Sequence, residues 1–402
     1  MGDVAPDSAL SDGYGPSSGP PGRTIGVEEE FLLVDPVSRR SVPRSASVLE
    51  RLTGAFPSAP DATVKPELLS SQVEAATGVC TGLDVLRDHL MVGRRLLGDA
   101  ARAEGVRLVS SGTPVLTGPV GSTHGERFAE IMRVHAGQAT DYQACGCHVH
   151  VGVPDRETTV AVVNHLRPWL PTLLALSANS PYDRGQDSGY ASWRMMEQAR
   201  FPGAGVPPWC GSTQEYDARV ERLVEAGALI DSAMSFWLAR LSPQWPTVEV
   251  RAADAVGSAA ETVLQAALTR GLVMRALEDL ARGREAPRGD DQVLATALWS
   301  AARYGLDGPA VDPVDARRLP VRMAVGRLLD HTAPALESTF DLDTVREALA
   351  KLWRAGSGAH RQRAASSHGL PAVVDLLIEQ TAPSPAPRRA TVNDEAVNRN
   401  AR

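Results

Sequence analysis

The chain has 402 residues, 43% hydrophobic and 22% charged, which is enough apolar material to bury a large core. Its formal net charge of -7 leaves no basic excess to neutralise a nucleic-acid backbone, and no stretch approaches the roughly 20 apolar residues of a membrane-spanning helix. Cys80, Cys145, Cys147 and Cys210 are too few for a disulfide framework, and there is no basic-then-apolar export signal, so the expected location is the cytoplasm, without nucleic-acid or membrane partners.

Residues 1–23 are dominated by Gly, Pro and Ser and read as a loose tail. The first strand-like run is TIGVEEEFLLV at 24–34. Its two-residue period sets Glu28 and Glu30 on one face, with Val27, Glu29, Phe31 and Leu33 on the other. Like charges so close repel unless a cation lies between them. An exposed edge strand carrying acids against aggregation is the alternative at this point. In KPELLSSQVEAATG, Glu67 and Glu74 are seven apart; they share a helix face or flank a turn into a strand. Residues 83–104 place Leu83, Leu86, Leu90, Leu97 and Ala101 at helical spacing and predict a surface helix on a sheet. VRLVSSGT follows as another short strand.

CGCHVHVGV, at 145–153, reads as a strand with His148 and His150 on one face and Cys147, Val149 and Val151 on the other. The Cys-x-Cys and His-x-His pairs therefore cannot share one tetrahedral zinc site. Metal, phosphate or carboxylate binding by the histidines stands beside a purely structural role. Asn179–Pro208 reads as a long polar loop bearing Arg184, Arg194 and Arg200. In TVEVRAAD, at 247–254, Glu249 and Arg251 share a face, as a metal ligand beside an anion clamp or as a plain ion pair. Amphipathic runs at 259–283, 290–304, 316–331, 343–355 and 371–381 predict helices, and 382–402 reads as a second loose tail. A single α+β domain over 24–381 is the expected organisation.

Four of these segments carry apolar residues behind and ionisable ones in front. A sheet built from them would gather Glu28, Glu30, Glu67, Glu74 and Glu249 on one face with His148, His150 and Arg251, an oxygen-rich surface suited to Mg²⁺ or Mn²⁺ and, through them, to a nucleotide.

The stretches GVEEEFLLVDP, VKPELLSSQVEAATGVC, GCHVHVGVPD, LSANSPYDRGQDSGYASWRMMEQARFPGAGVPP, TVEVRAADAV and GSGAHRQRAA together resemble the glutamate–cysteine ligase type 2 family of carboxylate–amine ligases, within the wider glutamine synthetase-like group. The resemblance implies an antiparallel sheet forming a funnel with helices packed outside. It implies ATP held through Mg²⁺ or Mn²⁺ on Glu28, Glu30, Glu67, Glu74, His148 and Glu249, in keeping with the absence of a GxxxxGK[ST] loop. Arg251 and His150 would act in catalysis, and Arg184, Arg194, Arg200, Arg361 and Arg363 would contact the nucleotide. The implied reaction joins a glutamate-like carboxylate to cysteine or another amine through a γ-glutamyl phosphate, releasing ADP and phosphate. A different acceptor, or a non-catalytic nucleotide- or metal-binding regulator, are the alternatives, and a homo-oligomer is compatible with the resemblance. The strand facing further predicts that Glu28→Gln and Glu249→Gln each abolish turnover while leaving the protein folded, and that Glu29→Gln matters little.

Overall fold

The computed structural model describes residues 19–52 and 62–382. Most of the expected tails, 1–18 and 383–402, lies outside the described residues. The expected tail boundary at 23 is corrected: Gly22 N–H donates to Gly152 O at 2.8 Å, and the Arg23 guanidinium donates to Ser338 O, so residues 19–23 are already part of the fold.

Strands β1 (Ile25–Val34), β2 (Thr63–Pro66), β3 (Gln72–Ala76), β4 (Arg107–Val109) and β5 (Gly146–Gly152) come from the first half of the chain. A two-residue pair, β6 (Tyr182–Asp183) and β7 (Gln186–Asp187), precedes β8 (Ala239–Leu241) and β9 (Thr247–Asp254), and β10 (Pro309–Val311) pairs with β11 (Arg318–Pro320). The main sheet runs β2-β3-β1-β5-β9-β8, with β4 pairing to the far end of β1, and every pairing is antiparallel. β1 is therefore interior, which removes the edge-strand reading of its three glutamates.

Helices α1 (Ser45–Glu50), α2 (Leu83–Ala103), α3 (Glu126–His135), α4 (Arg156–Leu166), α5 (Leu170–Ser177), α6 (Trp193–Gln198) and α7 (Thr213–Glu225) are interspersed with the strands. After β9 the chain is almost wholly helical, through α8 (Ala259–Ala281), α9 (Asp291–Tyr304), α10 (Val321–Ser338), α11 (Leu342–Ala355), α12 (Gly358–Ala365) and α13 (Leu370–Thr381). α8 starts at a capping box, Ser258 with Glu261, and is buried over most of its length because it lies between the sheet and the outer helices α10 and α11. The main core joins Val27, Cys147, Val149, Val151, Val248 and Val250 of the sheet to Leu86, Val163, Leu173 and Leu264 of α2, α4, α5 and α8. One sheet face is thus dry. The expected helix at 316–331 begins instead at Val321, because Arg318–Pro320 form β11 and Pro320 stands at the helix start; it then runs on past Pro334. The expected loop 179–208 is more structured than its composition suggests, holding the β6–β7 pair and α6.

Candidate active site

The sheet register assembles the opposite face row by row. Lys65 stands opposite Glu74 across β2–β3, and Glu74 opposite Glu30 across β3–β1. Glu28 stands opposite His148 across β1–β5, His150 opposite Glu249 across β5–β9, and Glu249 opposite Arg240 across β9–β8. Glu67 follows the end of β2, at the turn into β3. A register shift near His148 lets Arg251 and Ala252 occupy β9 between the partners of Cys147 and Val149, and this bulge brings the Arg251 guanidinium to 3.2 Å from His148 Nδ1.

Among the described residues, two ligand groups result. Glu28, His150 and Glu249 each offer an atom within 4.8 Å of the others, and Glu30, Glu67 and Glu74 do the same. His148 stands between them, with Nδ1 3.6 Å from Glu28 Oε2 and Nε2 3.5 Å from Glu30 Oε1. The strand facing thus gathers all of these residues, but it is His150 rather than His148 that joins a three-ligand group. His150 Nδ1 lies 2.9 Å from Thr247 Oγ1, which fixes the ring and leaves Nε2 buried without a hydrogen-bond partner, 3.7 Å from Glu28. Gly146 is a glycine for a local reason: its N–H donates to Glu30 Oε2 at 2.5 Å, and a Cβ there would run into the Arg194 guanidinium and lie 2.8 Å from His148 Nε2.

The electrostatics follow from crowding five carboxyl groups where water is scarce. Burial raises Glu67 well above its ordinary range, and the charges of Glu30 and Glu74 add to it. Burial likewise raises Glu30 and Glu74. Glu28 and Glu249 go the other way: burial opposes their ionisation, but His148 and His150 for Glu28, and Arg240 and Arg251 for Glu249, outweigh it. Burial, helped by Arg251, lowers His148 to about 4, so its imidazole is neutral.

Of the five arginines expected at the nucleotide, only Arg194 reaches this wall. It is buried, its Nη2 donates to Arg251 O at 3.3 Å, and its Nη1 makes no hydrogen bond. The other four are held elsewhere. Arg184 and Arg200 are drawn to Asp141, Arg200 also to Glu197. Arg361 pairs with Glu261 at 2.7 Å, and Arg363 grips Asp187 and Tyr190 O. Each of these charges is met by a carboxylate, and none of the four side chains lines the cavity at the wall.

Sequence reasoning missed Arg240 and Lys65. Arg240 Nε and Nη2 clamp the two oxygens of Glu249 at 2.8 and 3.2 Å, and its Nη1 holds the carbonyls of Ala233 and Ser235. The available signal was an arginine inside the apolar run FWLARL, since a buried charge demands a partner. The Lys65 ammonium lies 2.7 Å from Glu74 and 3.4 Å from Glu28; in TVKP no signal marked it.

A cavity of about 160 Å³ opens against the wall, lined by Glu30, Tyr142, His148, Arg194, Phe201 and Arg251 among others. A larger one of about 590 Å³ lies among α5, α9 and α10, beside Trp169 and His331, and touches none of the candidate residues. The convergence of charged groups, not cavity size, marks the candidate site.

The family model described as glutamate–cysteine ligase family 2 matches residues 24–378. The chain belongs to that family. A Saccharopolyspora erythraea protein provisionally named glutamate–cysteine ligase 2-2 is 56% identical over 92% of this chain and 95% of its own length. A Salinispora arenicola protein provisionally named glutamate–cysteine ligase 2 is 43% identical over 90% and 96%. Among solved structures, glutamate–cysteine ligase from Francisella tularensis, in complex with AMP, superposes with a TM-score of 0.65 at 13% identity, covering 91% of this chain and 90% of that one. A bifunctional glutathione synthetase from Pasteurella multocida gives 0.62 at 13% identity, over 89% and 52%. The α+β, glutamine synthetase-like fold and the carboxylate–amine ligase class expected from sequence are thereby established, and the regulator alternative is set aside. No helix among the described residues is long and apolar enough to cross a membrane.

Proposed function

We propose that the chain uses ATP to activate a glutamate-like carboxylate as an acyl phosphate and joins it to an amine, with cysteine the first acceptor to test. The observation that carries this reading is the pairing of two oxygen-rich ligand groups with buried guanidinium donors that make no hydrogen bond, although Arg194 Nη1 lies 3.9 Å from Asp254 Oδ1. Arg251 Nε and Arg194 Nη1 make no hydrogen bond, and both residues line the cavity beside Glu30. Buried donors of this kind need anionic acceptors, and phosphate or carboxylate oxygens supply them.

The residues fit divalent cations. Glu28, Glu249 and His150 would hold one and Glu30, Glu67 and Glu74 another, and hard oxygen donors with a single imidazole favour Mg²⁺ or Mn²⁺. Such ions supply charge neutralisation on the transferring phosphoryl group. Arg251, with Arg194, would orient the phosphate or the substrate carboxylate. Arg240 would keep Glu249 ionised and fixed, and Thr247 would aim His150. The substrate carboxylate oxygen takes the γ-phosphoryl group as its bond to ADP breaks. The amine nitrogen then bonds to the acyl carbon, loses a proton, and phosphate departs. Phe128, Ile131, Phe201 and Phe236 line the same cavity and would limit water around the mixed anhydride.

The Francisella tularensis protein, which carries AMP, supports the nucleotide assignment through the shared fold. The test is to incubate the protein with ATP, Mg²⁺, glutamate and a panel of amines, measuring phosphate release and identifying the amide by mass spectrometry. Cysteine is expected to give γ-glutamylcysteine. Absence of amine-dependent phosphate release across a broad panel would overturn the reading.

A further inference from the structure

Lys65 has a position that the ligase chemistry does not require of a lysine. It lies on β2, at the border of the sheet, and points across the ladder at Glu74. Its ammonium contacts Glu74 Oε1 at 2.7 Å and Glu28 Oε1 at 3.4 Å, one carboxylate from each ligand group. The two acids are largely enclosed, at 6% and 17% side-chain exposure, whereas the lysine side chain is 44% exposed. Arg240 differs: carbonyls on one side and both oxygens of Glu249 on the other tie it down.

We propose, building on the divalent-cation reading above, that Lys65 is an exchangeable counter-ion that competes with divalent cations for Glu74 and Glu28 and couples cation entry to nucleotide entry. A divalent ion arriving alone must displace the ammonium from oxygens it needs, and the displaced charge gains only solvent. An ion arriving with a triphosphate brings oxygens that the released ammonium can meet by rotating its long stem on the border strand. Bare-cation binding is therefore weakened by Lys65, and nucleotide-assisted binding is not.

The test is Mn²⁺ affinity by calorimetry on the full chain, with and without a non-hydrolysable ATP analogue, for wild type, Lys65→Met, Lys65→Gln and Lys65→Arg, each checked for fold by circular dichroism. Lys65→Met and Lys65→Gln are expected to bind Mn²⁺ alone about tenfold more tightly than wild type, the scale of removing one partly exposed competing charge. The analogue should then strengthen Mn²⁺ binding less than it does in wild type, while Lys65→Arg, which keeps the charge, stays near wild type. Unchanged or weaker Mn²⁺ binding in both neutral variants overturns the role of Lys65 and leaves the ligase reading standing. Failure of wild type to bind Mn²⁺ at all sinks both.

Discussion

Glu28 and Glu29 are chain neighbours with opposite duties, and exchanging each for glutamine separates them. Glu29 points into the dry side of the sheet, where Arg94 of α2 grips it with Nη2–Oε1 at 2.7 Å and Nε–Oε2 at 3.0 Å, both side chains being at most 4% exposed. Thr262 of α8 donates to the same carboxylate at 2.5 Å, and Arg94 also holds the carbonyls of Val256 and Gly257 at the entrance to that helix. The pair thus ties β1, α2 and the start of α8 together. Glu29→Gln keeps the shape but leaves a buried guanidinium without its counter-charge, a defect that costs about 3–5 kcal/mol. The remaining carbonyl partners of Arg94 place the expected loss near the lower end, about 3 kcal/mol. The expectation that Glu29→Gln matters little is therefore corrected: it spares the chemistry and damages the fold. Denaturant unfolding should show the loss, while turnover per folded molecule stays within about twofold of wild type. Glu28→Gln should do the reverse, shifting the unfolding midpoint far less and reducing turnover by a factor on the order of 10² or more. Because apolar residues of similar volume often replace a buried ion pair well, Glu29→Leu combined with Arg94→Met should recover much of the lost stability. A loss at Glu29→Gln below about 1 kcal/mol, or a loss of turnover in a protein of wild-type stability, would refute the facing argument.

Other expectations follow from the same wall. Arg240→Met should lower turnover sharply even at saturating substrate, because Glu249 loses its clamp, and denaturation should show a concurrent loss of about 2–4 kcal/mol; full activity in this variant would remove Glu249 from the chemistry. Glu30, Glu67 and Glu74 have folded-state values raised above the ordinary 4.5, so they lower stability as pH rises from there through the folded values. A divalent cation relieves that penalty, so the gain in melting temperature with Mg²⁺ or Mn²⁺ should be larger at pH 8 than at pH 5, and a flat or inverted dependence would contradict the assignment. All four cysteines are buried, and burial raises Cys80, Cys145, Cys147 and Cys210, so Ellman's reagent should label them at the rate of unfolding rather than as accessible thiols.

The part of the site legible in sequence is the part governed by strand alternation. Period two correctly separated Glu28 and Glu30 from Glu29, and His148 and His150 from Cys147, because each lies on a long strand whose back is apolar. Register was not legible. Nothing in VEEEF or CHVHV states that Glu28 will stand opposite His148, or that a bulge will bring Arg251 to that histidine. β2 and β8, of four and three residues, were not read from the sequence, and with them went Lys65 and Arg240. The ion-pair partners of the arginines were hidden for another reason. An exposed arginine in a polar segment looks alike whether it meets a ligand or a neighbouring carboxylate, and Asp141, Asp187 and Glu261 are all far from their partners in sequence.

The charge around the wall explains why its two halves are built so differently. Glu249 and Glu28 are held ionised by fixed partners, Arg240 and Arg251 for one and the two histidines for the other. Glu30, Glu67 and Glu74 are instead raised by burial, with like charge from neighbouring carboxylates adding to it, and Lys65 meets Glu74 from the border strand. A site intended only to be stable would have paired these three as firmly as Glu29 is paired. Under the proposed function, the uncompensated charge of these three would favour a cation, and the preset pair on the other side would fix where a second cation and its phosphate lie. Nucleotide with two divalent ions adds no net charge to the wall, because the four negative charges of the triphosphate offset the four of the ions. On that reading the site would load and release its cargo without recharging the low-dielectric interior around it.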